Sequence, residues 1–123
     1  MYQVPKDFEI SSLAGSKLYE IAFNANQIRL MFDSRVNIVV EGRMVMESSS
    51  ISSDSTGSGL NITAQAPTIK LLDLIESQVV LVQIDEQRLN LKFTFSKGQT
   101  LTLIGDEPYE CYTVHIGDKT IIV

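Results

Sequence analysis

Apolar and polar residues alternate with a period of two through most of this chain, and that pattern fixes the kind of backbone it can build. In Leu18–Phe23 the apolar positions are Tyr19, Ile21 and Phe23, with Glu20 between the first two. In Gln27–Phe32 they are Ile28, Leu30 and Phe32, and in Val36–Val40 they are Val36, Ile38 and Val40. Side chains of an extended strand point to opposite faces in turn, so each stretch reads as a half-buried antiparallel strand. The links Asn24–Asn26 and Asp33–Arg35 are short and polar, and Asn and Asp tolerate the backbone of tight turns. The three stretches therefore make a meander, with a fourth strand expected over Arg43–Glu47 after a bend at Gly42.

The same pattern then returns. Val80, Val82 and Ile84 alternate, as do Leu89, Leu91, Phe93 and Phe95, and then Leu101 and Leu103. An offset of 63 residues pairs Tyr19 with Val82, Ile21 with Ile84, Ile28 with Leu91 and Leu30 with Phe93. The same offset pairs Phe32 with Phe95, Ile38 with Leu101, Val40 with Leu103 and Gly42 with Gly105. Two readings stay open: a duplicated unit, or two meanders whose loops agree by coincidence. Either gives pseudo-repeat halves of about 5–47 and 67–105 and favours a sandwich or a partly open barrel. The fold class expected is α+β, mainly antiparallel β.

One helix is expected near 67–77. Leu71, Leu72, Leu74 and Ile75 form a stripe that would face a sheet, Pro67 suits a first turn, and Thr68 is a candidate N-cap. Phe8, Ile10 and Leu13 suggest a shorter helical turn before Gly15. The Ser-rich stretch 48–59 has little to bury and reads as a mobile connector rather than a gating loop. At the other end, 110–123 reads as a hairpin turning at Gly117-Asp118, with Val114 opposite Ile121 and Tyr112 opposite Val123.

Composition narrows the function classes. A chain of 123 residues fits a single domain. Its lone Cys111 excludes an intramolecular disulfide framework and a cysteine-based zinc site. No apolar run suggests a transmembrane helix or a secretory signal, so no membrane partner and a cytoplasmic location are expected. Fifteen acids against ten bases give a net charge of −5, which argues against a nucleic-acid partner held through phosphates. Asn61-Ile62-Thr63 fits the glycosylation pattern but has no secretory context.

Motifs that would carry catalysis are missing. Cys111 and the single His115 share a strand face, but four residues of strand separate them by about 13 Å, too far for a dyad. Asp85-Glu86 and Asp106-Glu107 are adjacent pairs beside turns and read as solvated. No phosphate-cradling loop, nucleophile elbow or dinucleotide fingerprint is present, and no cofactor is expected. The acids do gather: Asp106, Glu107, Glu110 and Asp118 stand against Lys119 alone in 105–123, and Asp73, Glu76, Asp85 and Glu86 add to the excess. If these regions meet, they make an acidic face able to steer a partner with a basic surface. Tyr109 and Tyr112 flank Glu110 and Cys111, an aromatic-acidic grouping of the kind enriched at interfaces.

Pro5-Lys6-Asp7-Phe8, the stretch Ile28–Asp33, Val40-Glu41-Gly42 and the Leu91–Leu101 hairpin with Gly98 carry a resemblance. The ending Tyr109-Glu110-Cys111-Tyr112, then Ile116-Gly117 and Ile121-Ile122-Val123, is its most specific part. On these residues the chain resembles a family of small bacterial proteins catalogued as a domain of unknown function. The resemblance implies a bacterial intracellular protein and supplies no catalytic residues. By type alone, small acidic β-rich proteins also look like immunity proteins that neutralise toxins. The leading expectation is thus a non-enzymatic protein-interaction module, immunity-like or regulatory, using Asp106, Glu107, Tyr109, Glu110 and Tyr112. The alternative is a small-ligand binder or enzyme with a pocket between the β units, lined by Tyr112, His115 and Arg29. A monomer or an edge-paired homodimer would suit either.

Overall fold

The computed structural model describes residues 3–6, 13–48, 59–106 and 110–123. Strands β1 (Leu18–Phe23), β2 (Ile28–Phe32) and β3 (Val36–Val40) form the first meander. Next come β4 (Met44–Glu47) and β5 (Leu60–Ile62), then a 3₁₀ helix at Ile69–Leu74. The second meander is β6 (Val79–Ile84), β7 (Leu91–Phe95) and β8 (Thr100–Leu103), followed by β9 (Tyr112–Ile116) and β10 (Lys119–Ile122). All pairings are antiparallel and make two five-stranded sheets, ordered β1-β2-β3-β9-β10 and β5-β4-β8-β7-β6, which do not close into a barrel.

Each meander thus completes its sheet with the other half's hairpin. After β3 the chain crosses to the second sheet, where β4 pairs with β8; after β8 it crosses back, where β9 pairs with β3. Alternation drives this arrangement. The inward rows Ile28–Val40–Tyr112 and Leu30–Ile38–Val114–Ile121 of the first sheet are buried, and so are Leu91–Leu103–Met44–Ile62 of the second. The two sheets share one core, in which Phe32 stacks on Phe93 with ring centroids 5.8 Å apart. Burying each such side chain contributes about 1.5–3 kcal/mol.

The meanders agree in detail. β1 pairs Leu18 with Phe32 and Ile21 with Leu30, with a register shift between Leu18 and Glu20. β6 pairs Val79 with Phe95 and Val82 with Phe93, with a register shift between Val79 and Leu81. Gly15 N donates to Val79 O at 2.7 Å as Glu76 N donates to Leu18 O at 2.6 Å. Val79 N donates to Ser16 O as Leu18 N donates to Ser77 O, and the bridge Lys17↔Gln78 lies between these bonds. Side chains repeat too: Lys17 N donates to Asp33 Oδ1, and Gln78 N donates to Ser96 Oγ.

Several expectations need correction. Tyr19 and Val80, read as inward-facing, are 49% and 54% exposed, because each is the extra residue of a bulge and Leu18 and Val79 fill the core instead. The 63-residue offset holds from β2 onward, but β1 and β6 correspond at 61, since the turn Asp85–Asn90 is two residues longer than Asn24–Gln27. The helix is 3₁₀ and shorter than expected. Leu71 and Leu74, three residues apart, are its buried pair, whereas Ile69 and Leu72 face solvent, which matches a three-residue repeat. Thr68 makes no side-chain cap. Ile75 turns extended and Glu76 takes φ 73°, which delivers Glu76 N to Leu18 O. Most of the Ser-rich stretch (49–58), with Phe8 and Ile10, lies outside the described residues.

Candidate functional site

The two crossings between sheets meet at one end of the molecule. The first corner, Glu41–Arg43, needs three residues to pass from β3 to β4; the second, from β8 to β9, takes eight, Ile104–Cys111. They clasp each other through matching bonds: Glu41 N donates to Cys111 O at 2.8 Å and Ile104 N to Arg43 O at 3.0 Å. Gly42 N also donates to Cys111 O, and a Cβ on Gly42 would lie 3.0 Å from Cys111 Cβ. That close approach is why this corner needs a glycine.

The second corner is braced by bonds from the turn Asp85–Asn90. Asp85 Oδ1 accepts from Leu89 N at 2.8 Å and from Asn90 N at 3.0 Å, which sets the turn. Asn90 Oδ1 accepts from Gly105 N at 3.0 Å, and the Tyr112 hydroxyl donates to Leu89 O at 2.7 Å. The ends of the long connection are tied together as well, since Asp106 N donates to Cys111 Sγ at 3.2 Å and the thiol donates back to Asp106 O at 3.7 Å. Burial, helped by the negative charge of Asp85, holds the Tyr112 phenol well above its ordinary value. Burial likewise pushes the Cys111 thiol up, opposed by the Asp106 N–H on the sulfur and reinforced by the Asp106 carboxylate. Only 4% of Cys111 is exposed, so its side chain serves mainly to pack the base of the corner.

Between the corners opens a cleft of about 790 Å³. Among the described residues it is lined by the charged Glu41, Arg43, Asp106 and Glu110 together with Gly42, Ile104, Gly105 and Cys111. Three carboxylates against one guanidinium among the described residues leave it acidic, and all four of these residues are exposed. Among the described residues no group of three His, Cys, Asp or Glu could hold a metal ion.

Of the residues singled out from sequence, Asp106 and Glu110 come together here. Glu107 and Tyr109 lie outside the described residues. Tyr112 is 1% exposed, so its ring belongs to the core and not to a contact surface. His115 sits on the outer face of the first sheet, its Nδ1 3.3 Å from Thr120 Oγ1, and Arg29 lies exposed on that face too; neither lines the cleft. The remaining acids are elsewhere: Glu76 faces Lys17, Asp85 caps its turn, and Asp73 lines a separate hollow with Lys70 and Gln99. Glu41 and Arg43 escaped the sequence reading. The match of Gly42 with Gly105 was the signal for them, because two glycines at equivalent corners imply that the corners touch.

No family model, curated protein or solved structure matches the chain. No helix among the described residues is long and apolar enough to cross a membrane.

Proposed function

We propose that the chain is a non-enzymatic protein-binding module that presents its second corner to a basic surface of its partner. One observation carries this reading. The fold turns the equivalent corner in three residues, Glu41–Arg43, so most of Ile104–Cys111 is surplus to the architecture. The surplus sequence is Asp-Glu-Pro-Tyr-Glu, and dedicated bonds from Asn90, Tyr112 and Cys111 fix its base beside an acidic cleft. Length that a scaffold does not need, held on rigid strands, is where binding residues are found. Carboxylates at such a rim raise the encounter rate with a cationic patch and set its orientation.

The frame we propose is a sandwich made by internal duplication, each half lending its hairpin to the other's sheet. Matched bulges, matched turn bonds and the Lys17↔Gln78 bridge support it. The motif resemblance suggests a bacterial, intracellular setting, and the immunity-like or regulatory role rests on likeness of type alone, a small acidic β-rich protein. A small-ligand reading has one observation in its favour, since 790 Å³ lies within the range of ligand pockets, about 300–1,000 Å³. The charged lining fits that reading less well, because such pockets are mostly apolar.

The test is capture from a lysate of the source cells on immobilised protein. A partner that elutes with salt, is lost with Asp106→Lys/Glu110→Lys and is retained with Glu20→Lys/Asp118→Lys supports the proposal. Equal capture by both double variants contradicts it.

A further inference from the structure

The turns that enter β2 and β7 are built alike except for an insertion. Asn24 Oδ1 accepts from Asn26 N at 3.0 Å and Gln27 N at 2.9 Å, as Asp85 Oδ1 accepts from Leu89 N and Asn90 N. Asn24 N donates to Gln27 O as Asp85 N donates to Asn90 O. Between the accepting side chain and the first amide it holds, the first turn has only Ala25; the second has Glu86, Gln87 and Arg88. The inserted residues carry a clasp. Gln87 O accepts from Gln3 Nε2 at 2.9 Å and Arg88 O from Val4 N at 2.7 Å. Arg88 Nε donates to Val4 O at 2.7 Å and Nη2 to Pro5 O at 2.6 Å, and Val4 is buried in the core.

The other half serves as an internal control. Among the described residues, the first turn's counterpart to these four bonds is one, from Gln65 Nε2 to Ala25 O at 3.4 Å. Arg88 stands at φ 58°, a left-handed backbone that an arginine seldom adopts, and its own side chain closes the clasp. The clasped turn is also the one that braces the long corner, through Leu89 O to the Tyr112 hydroxyl and Asn90 Oδ1 to Gly105 N. Gln27, in the place of Asn90, makes no such bond to the short corner among the described residues. Insertion, clasp and brace thus occur together in the half that carries the long corner.

We propose that Arg88 is a positioning residue for the acidic corner. By clasping Gln3–Pro5 it holds the inserted turn in the shape from which Leu89 and Asn90 reach Tyr112 and Gly105. Neither Arg88 nor Gln3–Lys6 is among the residues that line the cleft, so their influence arrives through the turn. The device rests on the reading of that corner as a binding face. Its coupling runs in both directions, as any coupling of two equilibria must: opening the clasp loosens the corner, and occupying the cleft tightens the clasp.

Amide hydrogen exchange of the full chain, read residue by residue by NMR, tests this. Arg88→Gly accepts the left-handed backbone and deletes the two side-chain bonds. The amides of Val4 and Gly105 then exchange about tenfold faster, the scale of losing roughly one net hydrogen bond, while those of Asn26 and Gln27 keep their rates. Arg88→Lys, without the planar fork, falls between. Where Asn90→Ala has already freed Gly105, adding Arg88→Gly changes nothing further at Gly105. In the wild-type chain, saturation with an oligolysine peptide slows exchange at Val4, which a merely structural arginine would not do and which needs no variant to fold. Unchanged exchange at Gly105 in Arg88→Gly, full additivity with Asn90→Ala, or oligolysine that binds the cleft and leaves Val4 unmoved overturns the proposal. Oligolysine that does not bind, with Gly105 still loosened by Arg88→Gly, overturns the binding reading and leaves the positioning role standing.

Discussion

The Tyr112 hydroxyl donates to the Leu89 carbonyl across 2.7 Å, tying the first strand after the long corner to the turn that braces it. Tyr112→Phe removes this partly buried hydrogen bond, which costs about 1 kcal/mol, read from urea unfolding at neutral pH. The gap between the two proteins then narrows in alkali. The folded state holds the phenol above its ordinary value of 10.0, so above that pH the unfolded chain loses a proton that the folded chain keeps. Wild-type stability falls by about 1.4 kcal/mol per pH unit from this group, and the variant is spared that loss. Parallel pH profiles would contradict the assignment.

Corner glycines give a graded pair. A Cβ on Gly105 would run into the Leu89 backbone carbonyl, which is fixed by the Asp85 turn. A Cβ on Gly42 would sit 3.0 Å from Cys111 Cβ and 3.3 Å from its Cα, tight but short of the overlap at Gly105. Gly105→Ala is therefore the more harmful, costing about 3 kcal/mol, the upper end for overpacking, and Gly42→Ala about 1 kcal/mol. Thermal melts of the two rank them.

Ser16 and Ser77 hold equivalent positions beside the bridge, yet their hydroxyls fare differently. Ser16 Oγ is bonded to Ser34 Oγ, while Ser77 Oγ is fully buried with no partner among the described residues. Ser16→Ala destabilises by about 1 kcal/mol, and Ser77→Ala is neutral or stabilising by a similar amount. Urea midpoints of the two variants carry the comparison.

Gly15 and Glu76 are a second such pair, with φ of 89° and 73°. Glycine adopts that backbone freely and glutamate does not. Gly15→Ala costs about 1 kcal/mol or more, whereas Glu76→Gly is neutral or raises the melting point, since its exposed contact to Lys17 at 3.8 Å contributes little.

How much of this was legible in the sequence follows from what determines each feature. Strand periodicity is written in neighbouring residues, so β2, β3, β7 and β8 and their inward rows could be read directly. The hairpin at Gly117-Asp118 was legible for the same reason, its register being set by the turn. The bulges at Tyr19 and Val80 were not, because they arise where β1 and β6 bend to meet at Lys17↔Gln78, a contact between residues far apart in the chain. The exchange of hairpins is likewise invisible to local pattern, and it brings Glu41 and Arg43 to Asp106 and Glu110. The Asp106–Glu110 half of the cleft was readable as charge; the other half is a consequence of topology.

Amide chemical-shift mapping during titration with an oligolysine peptide tests the acidic corner most directly. The account predicts shifts concentrated at Glu41–Arg43, Ile104–Asp106 and Glu110–Cys111, fading as salt is raised and absent in Asp106→Lys/Glu110→Lys. Shifts spread evenly over Glu20, Asp73, Glu76 and Asp118, or gathered on any of them instead of the cleft, would contradict it.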